Sequence, residues 1–419
     1  MHPNALLELA TDLLHKVMRF DAPADSIVSA FFREHRALGA RERHTLAETT
    51  YAVLRQRLLF QHLAQSGKGE MERRLALLGW QGNAGFLRAA LSEPEQQWLE
   101  KVQAIDVASL AEKLRHNLPE WLAEPLHASL GDEFWPLVQS LNAPAPLDLR
   151  VNTFKAKRDE VQAALAAAHI EATPTPYSPW GLRIEGKPAL NKLDLFTRGD
   201  VEVQDEGSQL LALLTDAKRS EMVVDFCAGA GGKTLALGAA MRNTGRLYAF
   251  DTSGHRLAAL KPRLARSGLS NVYPVQIAHE RDERIKRLAG KIDRVLVDAP
   301  CSGLGTLRRN PDMKWRQSPQ AVEELREKQA AILASAARLL KPGGRLVYAT
   351  CSLLEDENEA VAQAFSEAHA REFAPVPAAV ALEKAHAGSP ETLVRGDFMR
   401  LWPHRHATDG FFAAVWERR

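Results

Sequence analysis

The sequence predicts an α/β protein whose C-terminal part is a doubly wound, mostly parallel sheet, preceded by a small α+β unit and an all-α N-terminal unit. Three observations lead there. From residue 221, short apolar runs alternate with helical stretches, the pattern of a parallel sheet with helices on both faces. Residues 1–141 read as a succession of helical stretches with no β-like run among them. Between them, residues 147–218 mix short β-like runs with one helix.

At the N-terminus, Leu6, Ala10, Leu13, Leu14, Val17 and Met18 fall on one helical face over 5–18. Leu46, Tyr51, Leu54 and Leu58 extend a second long helical segment through Leu63. Further helices are expected near 70–78, 84–91, 94–103, 106–115, 119–130 and 132–141. Asn142-Ala143-Pro144-Ala145-Pro146 cannot continue a helix and reads as a linker. In the next unit, Leu147–Val151, Gly181–Ile184 and Val201–Val203 are β-like around a helix near 157–168, and a Pro-rich turn over 173–179 separates two of the strands. Beyond 219, the strands are 223–226, 246–250, 272–277, 294–297 and 345–348. The Ala-rich helix over 320–340 stops at Lys341-Pro342-Gly343-Gly344, and 411–416 is expected as a late edge strand. The units are therefore 1–141, 147–218 and 219–419.

Composition excludes several classes. The 419 residues are 45% hydrophobic and 25% charged, an ordinary globular balance rather than a disordered or fibrous one. No apolar run reaches the roughly 18 residues of a spanning helix, and Glu8 and Asp12 interrupt the first apolar stretch, so a signal peptide is not expected. The expected location is cytoplasmic. With 54 Lys and Arg against 52 Asp and Glu, the global field is weak, and a nucleic-acid partner would need local basic patches. Residues 91–145 are acidic, with 3 basic against 9 acidic residues. The three cysteines, Cys227, Cys301 and Cys351, are an odd, widely spaced set, poor for disulfides and lacking zinc spacing, so no metal is expected.

The first strand of the last unit runs into Cys227-Ala228-Gly229-Ala230-Gly231-Gly232-Lys233-Thr234 and then a helix. Glycines there allow a tight turn and close approach of a ligand to the helix N-terminus. A phosphate-binding P-loop ends the same way, but Cys227 stands where its first glycine belongs. A plain glycine turn is a second reading, and a nucleotide-like cofactor site the favoured one. Asp251, at the end of the next strand, is placed to accept from ribose hydroxyls, although many strands end in a helix-capping Asp. The fourth strand ends in Asp298-Ala299-Pro300-Cys301 and the fifth in Ala349-Thr350-Cys351. Adjacent strand ends share one crevice, so Asp298 and two thiols should converge on the glycine turn.

These residues resemble the S-adenosylmethionine-dependent RNA cytosine-5 methyltransferases. The likeness covers roughly 115–419 through DFCAGAGGKT, DAPCSG and ATCS in order, with RRNPDMKW at 308–315, LRVNT at 149–153, QDEGSQ at 204–209 and DGFF at 409–412. The helical N-terminus is similar to the ribosomal-RNA branch that carries a NusB-like domain. The resemblance implies a Rossmann-like class I methyltransferase domain, with S-adenosylmethionine on Cys227 through Lys233, Asp251, Asp298 and the position of His279. It implies Cys351 as the nucleophile on cytosine C6, Cys301 in product release, and Asp298 and Lys233 beside them. Arg308, Arg309, Lys314 and Trp315 would contact RNA, expected to be ribosomal, flipped or single-stranded at the target. The enzyme is expected to be a monomer. Two positions depart from the family: Ala230 replaces a usual Pro, and His279 stands where an adenine-binding Asp is usual. A methyltransferase domain that has lost activity and serves as an RNA-binding assembly or antitermination factor is the alternative.

Overall fold

The computed structural model describes residues 1–186 and 188–419. The chain divides into two units: Met1–Pro144 with Thr306–Pro319, and Ala145–Gly305 with Gln320–Arg419. The sequence reading separated three segments and did not foresee that 306–319 would leave the sheet unit.

The first unit is helical, as expected. Its helices include Pro3–Val17, Ala24–Glu34, Ala40–Arg55, Arg57–Ala64, Met71–Leu78, Glu93–Gln103, Glu120–Leu130 and Phe134–Asn142. Helix Glu93–Gln103 starts on a capping box, with Glu95 accepting from the Ser92 N–H at 2.8 Å. Helix Ala24–Glu34 was missed, because Pro23 and the short apolar stripe Val28, Phe31 give a weak periodic signal. Leu7, Leu13, Leu14, Phe31, Leu46, Val53, Leu54 and Leu75 are fully buried in one core, and Trp315 packs against it. The 306–319 segment is therefore part of this core. Trp315 Nε1 donates to Leu54 O at 2.8 Å and Lys314 Nζ to Arg55 O at 2.9 Å. Both carbonyls belong to the last turn of helix Ala40–Arg55, where no intrahelical donor is available. Asp312 accepts from Ala24 N–H at 3.1 Å, at the first residue of the next helix to pack there.

The second unit begins with strands β1 Leu147–Val151, β2 Ala172–Pro174, β3 Gly181–Ile184 and β4 Val201–Val203. They form an antiparallel sheet in the order β2-β3-β1-β4, with helix Arg158–Ala167 between β1 and β2. Leu149, Val151, Leu182, Ile184 and Val201 face Val161 and Leu165 of that helix. The opposite face carries Asp148, Arg150 and Glu202; Asp148 pairs with Arg183, and Glu202 with Arg263 and Arg266.

The large sheet contains β5 Met222–Asp225, β6 Arg246–Asp251, β7 Val272–Gln276, β8 Ile292–Asp298 and β9 Leu340–Thr350, followed by β10 Phe373–Val376, β11 Val394–Arg395, β12 Phe398–Leu401 and β13 Phe411–Arg418. Its order is β11-β12-β13-β9-β8-β5-β6-β7, with β10 also on β13. The strands from β5 to β9 are mutually parallel and β13 runs antiparallel to β9. Thus β13 is not an edge strand as expected. It pairs with β9, β12 and β10, and its first six residues are all buried, which a strand covered on both faces requires.

Candidate active site

The site forms where the parallel strands end. Asp225 is in register with Leu296 and Ala249, and Asp298 with Ala349. Asp225, Asp251, Asp298 and Cys351 therefore leave the sheet along one edge, where open α/β sheets bind ligands.

After β5 the chain turns through Gly229 (φ 56°) and Gly231 (φ 83°) into helix Gly232–Ala240. A Cβ on Gly231 would lie 2.1 Å from Leu260 Cδ1, so only glycine fits. Asp251 holds this turn through Gly229 N–H at 2.8 Å and Ser253 N–H at 2.7 Å. Arg263 donates to Ala230 O at 2.6 Å and also pairs with Glu202, a tie that holds the turn where the usual proline is lacking. Asp225 is fully buried; Oδ2 accepts from Thr234 Oγ1 at 2.7 Å, whereas Oδ1 has no partner among the described residues. Burial pushes its carboxyl up to about 7.

The next turns carry the thiols. Cys301 Sγ lies 3.4 Å from Cys351 Sγ, and both residues are half-buried. Lys233 Nζ donates to Asp298 Oδ2 at 2.7 Å. Burial works against the Lys233 ammonium, but the Asp298 charge and hydrogen bond, with Cys351 and Asp225, raise it overall. Cys301 is pushed well above the ordinary thiol range by its hydrogen bond to Cys351, by burial and by the charges of Cys351 and Glu357. Burial and then Asp225, Asp298 and Asp251 raise Cys227 likewise, so it is a poor thiolate beside the glycine turn. Gly305 lets the segments close up: its N–H donates to Cys351 O at 2.8 Å and its carbonyl accepts from Gly410 N–H at 2.8 Å. A Cβ on Gly305 would meet Gly410 O at 2.1 Å.

Cys227, Ala228, Gly229, Ala230, Gly231, Gly232, Lys233, Asp251, Asp298, Cys301 and Cys351 thus gather at one edge. His279 lies three residues beyond β7, exposed, and its Nδ1 accepts from Arg281 N–H at 3.1 Å, which commits that nitrogen to the turn. In the segment expected to contact RNA, Arg308 and Lys314 are 4% and 3% exposed, and Trp315 Nε1 donates to Leu54 O in the helical unit. Arg309 is half-buried. Sequence reasoning missed Asp225, Glu357 and Arg400. Asp225 directly precedes the glycine turn, a detectable signal, whereas Glu357 sits in the acidic run 355–359 and reads as surface.

Comparison with known proteins matches residues 212–417 to the family described as 16S rRNA methyltransferase RsmB/F. Residues 118–191 match the ferredoxin-like domain of RsmF/B-like methyltransferases. A probable ribosomal RNA small subunit methyltransferase B of Bacillus subtilis is 34% identical over 80% of this chain and 74% of its own length. The chain belongs to the RsmB/F family. A Synechocystis protein of the same description is 36% identical over 72% of this chain and 66% of its own length. The crystal structure of PH0851 superposes with TM-score 0.81 at 28% identity, covering 100% of this chain and 99% of that one. Among the described residues no helix is long and apolar enough to cross a membrane.

Proposed function

We propose that this RsmB/F-family protein is an S-adenosylmethionine-dependent methyltransferase that forms 5-methylcytosine in 16S ribosomal RNA through a covalent bond from Cys351 to cytosine C6. The observation that carries the reading is the pair of sulfurs 3.4 Å apart at the strand ends that also present the Lys233–Asp298 pair. The names of the similar curated proteins support the ribosomal substrate.

The residues present fit the cofactor. A Cβ on Gly229 would meet nothing within 4 Å, which leaves the turn open to a ligand, Asp225 Oδ1 is a buried acceptor without a partner among the described residues and suited to an ammonium, and Asp251 ends β6 at the place of a ribose-binding carboxylate. S-adenosylmethionine, when bound, supplies an electrophilic methyl group. The Cys351 thiolate adds to C6 and makes C5 nucleophilic. Asp298, oriented by Lys233, holds the N3/N4 edge of the base and offsets charge developing on the ring. Cys301 serves the release step. This chemistry needs no metal.

The target base must be unstacked to reach such a crevice. RNA contact is assigned to the ferredoxin-like region rather than to 308–315. A groove of about 460 Å3 there is lined by Phe154, Lys155, Lys157, Arg158 and Trp180, with Arg242 from the large-sheet part, a basic rim with aromatic walls that suits phosphates and stacked bases. The NusB-like helical unit is read as an RNA or protein interaction unit, and the enzyme as a cytoplasmic monomer.

The test is Cys351→Ala. It should abolish methyl transfer to 16S rRNA while calorimetry still detects S-adenosylmethionine binding, and bisulfite sequencing should lose one 16S cytosine signal when the gene is deleted. Full activity in Cys351→Ala, or no cofactor binding by the unaltered protein, refutes the reading. The second outcome would favour an inactive RNA-binding factor.

A further inference from the structure

Next to the two thiols lies a buried polar cluster that the scheme above does not use. Glu357 is fully buried and takes four donors. Its Oε1 accepts from Ser302 N–H at 2.8 Å and Gln329 Nε2 at 3.0 Å; its Oε2 accepts from Ser302 Oγ at 2.5 Å and from the Ser352 hydroxyl. Ser302 follows Cys301 and Ser352 follows Cys351, so one carboxylate ties both cysteine turns. Gln329 also donates to Pro300 O at 3.0 Å, which anchors the first turn to helix Pro319–Ala337. On the other turn, Arg400 donates to Ser352 O at 3.2 Å and Leu353 O at 2.7 Å. Such a buried hydrogen-bond network holds the two cysteine turns in one geometry.

We propose that Glu357 is a positioning residue that makes Cys301 the hydrogen-bond donor to the Cys351 sulfur, so that Cys301 assists the departure of that sulfur from the pyrimidine instead of acting as the base. The proposal rests on Cys351 being the nucleophile. At 3.4 Å the two sulfurs share one S–H···S contact, and two thiolates so close would repel. The titratable groups facing Cys301 include Cys351, Glu357 and Tyr348, all acids, while the Gly303 N–H acts the other way. Lys233 shares its field with Cys351. The two thiols therefore differ: one stands beside a cation, the other beside a buried carboxylate.

In the release step the C5–H bond breaks and its proton passes to solvent water. The electron pair closes the C5=C6 double bond, and the C6–S bond breaks with its pair kept by the Cys351 sulfur. An S–H donor at Cys301 stabilises that leaving thiolate. A base at Cys301 would have to be ionised before the step, where Glu357 opposes it.

The experiment compares the unaltered enzyme, E357Q and E357D. Without RNA, the pH dependence of Cys301 alkylation by iodoacetamide is followed by peptide mass spectrometry. E357Q should move the Cys301 ionisation down by about one pH unit, a tenfold change, and E357D, which keeps the charge, should hold it. A merely structural role would not separate the two variants. In single turnover with 16S rRNA, resolution of the covalent adduct should slow as pH rises through that ionisation. Resolution that accelerates with pH, or an unchanged Cys301 profile in E357Q, overturns the proposal. The resolution profile of the unaltered enzyme decides the matter even if E357Q does not fold. Adduct formation by Cys351→Ala would instead sink the nucleophile assignment, and the RNA-free arm keeps the two failures distinguishable.

Discussion

Replacing Lys314 by Met should make the protein more stable, although a lysine in that segment was expected on RNA. Lys314 is 3% exposed, and burial, then the charge of Arg55, pulls its ammonium down from 10.5 to about 7. That drop corresponds to at most ~5 kcal/mol in favour of the neutral amine, of which ~4 kcal/mol is felt as a cost at neutral pH. Met keeps the apolar stem and loses two favourable contacts. Arg55 O loses its donor, at about 1 kcal/mol, and the ammonium 5.0 Å from the Trp315 ring is lost, at about 1 kcal/mol. A net gain of about 2 kcal/mol remains. The pH dependence has a fixed sign. Because the folded value lies below the unfolded one, only the unfolded chain holds the proton between about 7 and 10.5. Stability therefore climbs with pH across that window in the unaltered protein and is flatter in Lys314→Met. Urea unfolding at pH 7 and about pH 9.5 measures both quantities. A less stable Lys314→Met at pH 7, or an undiminished pH slope, refutes the buried-amine account.

Three further outcomes are expected. Gly231→Ala meets both a positive φ and a 2.1 Å approach to Leu260, and should cost about 2–4 kcal/mol of stability together with most S-adenosylmethionine affinity, read by thermal unfolding and calorimetry. Asp225→Asn removes a carboxyl raised to about 7; since the folded form of Asp225 prefers the proton, stability of the unaltered protein should fall from about pH 4 to pH 7, and the variant should flatten that fall while weakening cofactor binding. Reversing charge at Lys157 and Arg158 in the groove should weaken RNA binding and shrink its salt slope by about 2, in anisotropy titrations, without altering cofactor affinity.

Local signals were legible where local physics decides. Leu147–Val151, Gly181–Ile184 and Val201–Val203 were read to the residue, because each is bounded by Pro, Gly or charged turns. The glycine turn and both cysteine turns were legible as motifs and as strand ends. Tertiary partners decided the rest. Arg308 through Trp315 looks like a charged surface loop, and only the orphaned carbonyls of Leu54 and Arg55, more than two hundred residues upstream, draw Lys314 and Trp315 inward. Glu357 reads as one of several exposed acids until Ser302, Ser352 and Gln329 surround it. The position of β13 inside the sheet depends on its pairing with β9, β12 and β10, which its own residues do not announce.

The excursion of residues 306–319 limits how the polypeptide can be dissected. Cutting after Pro144 severs the chain in one place but separates the helices from a stretch encoded far downstream, whose Trp315 would lose its apolar neighbours. The resulting 145–419 fragment would carry a sticky, unpartnered insertion just after its reactive thiol turn. A usable split needs that fourteen-residue stretch supplied with the helices or replaced by a short polar bridge, and simple truncation at the proline linker should yield aggregates.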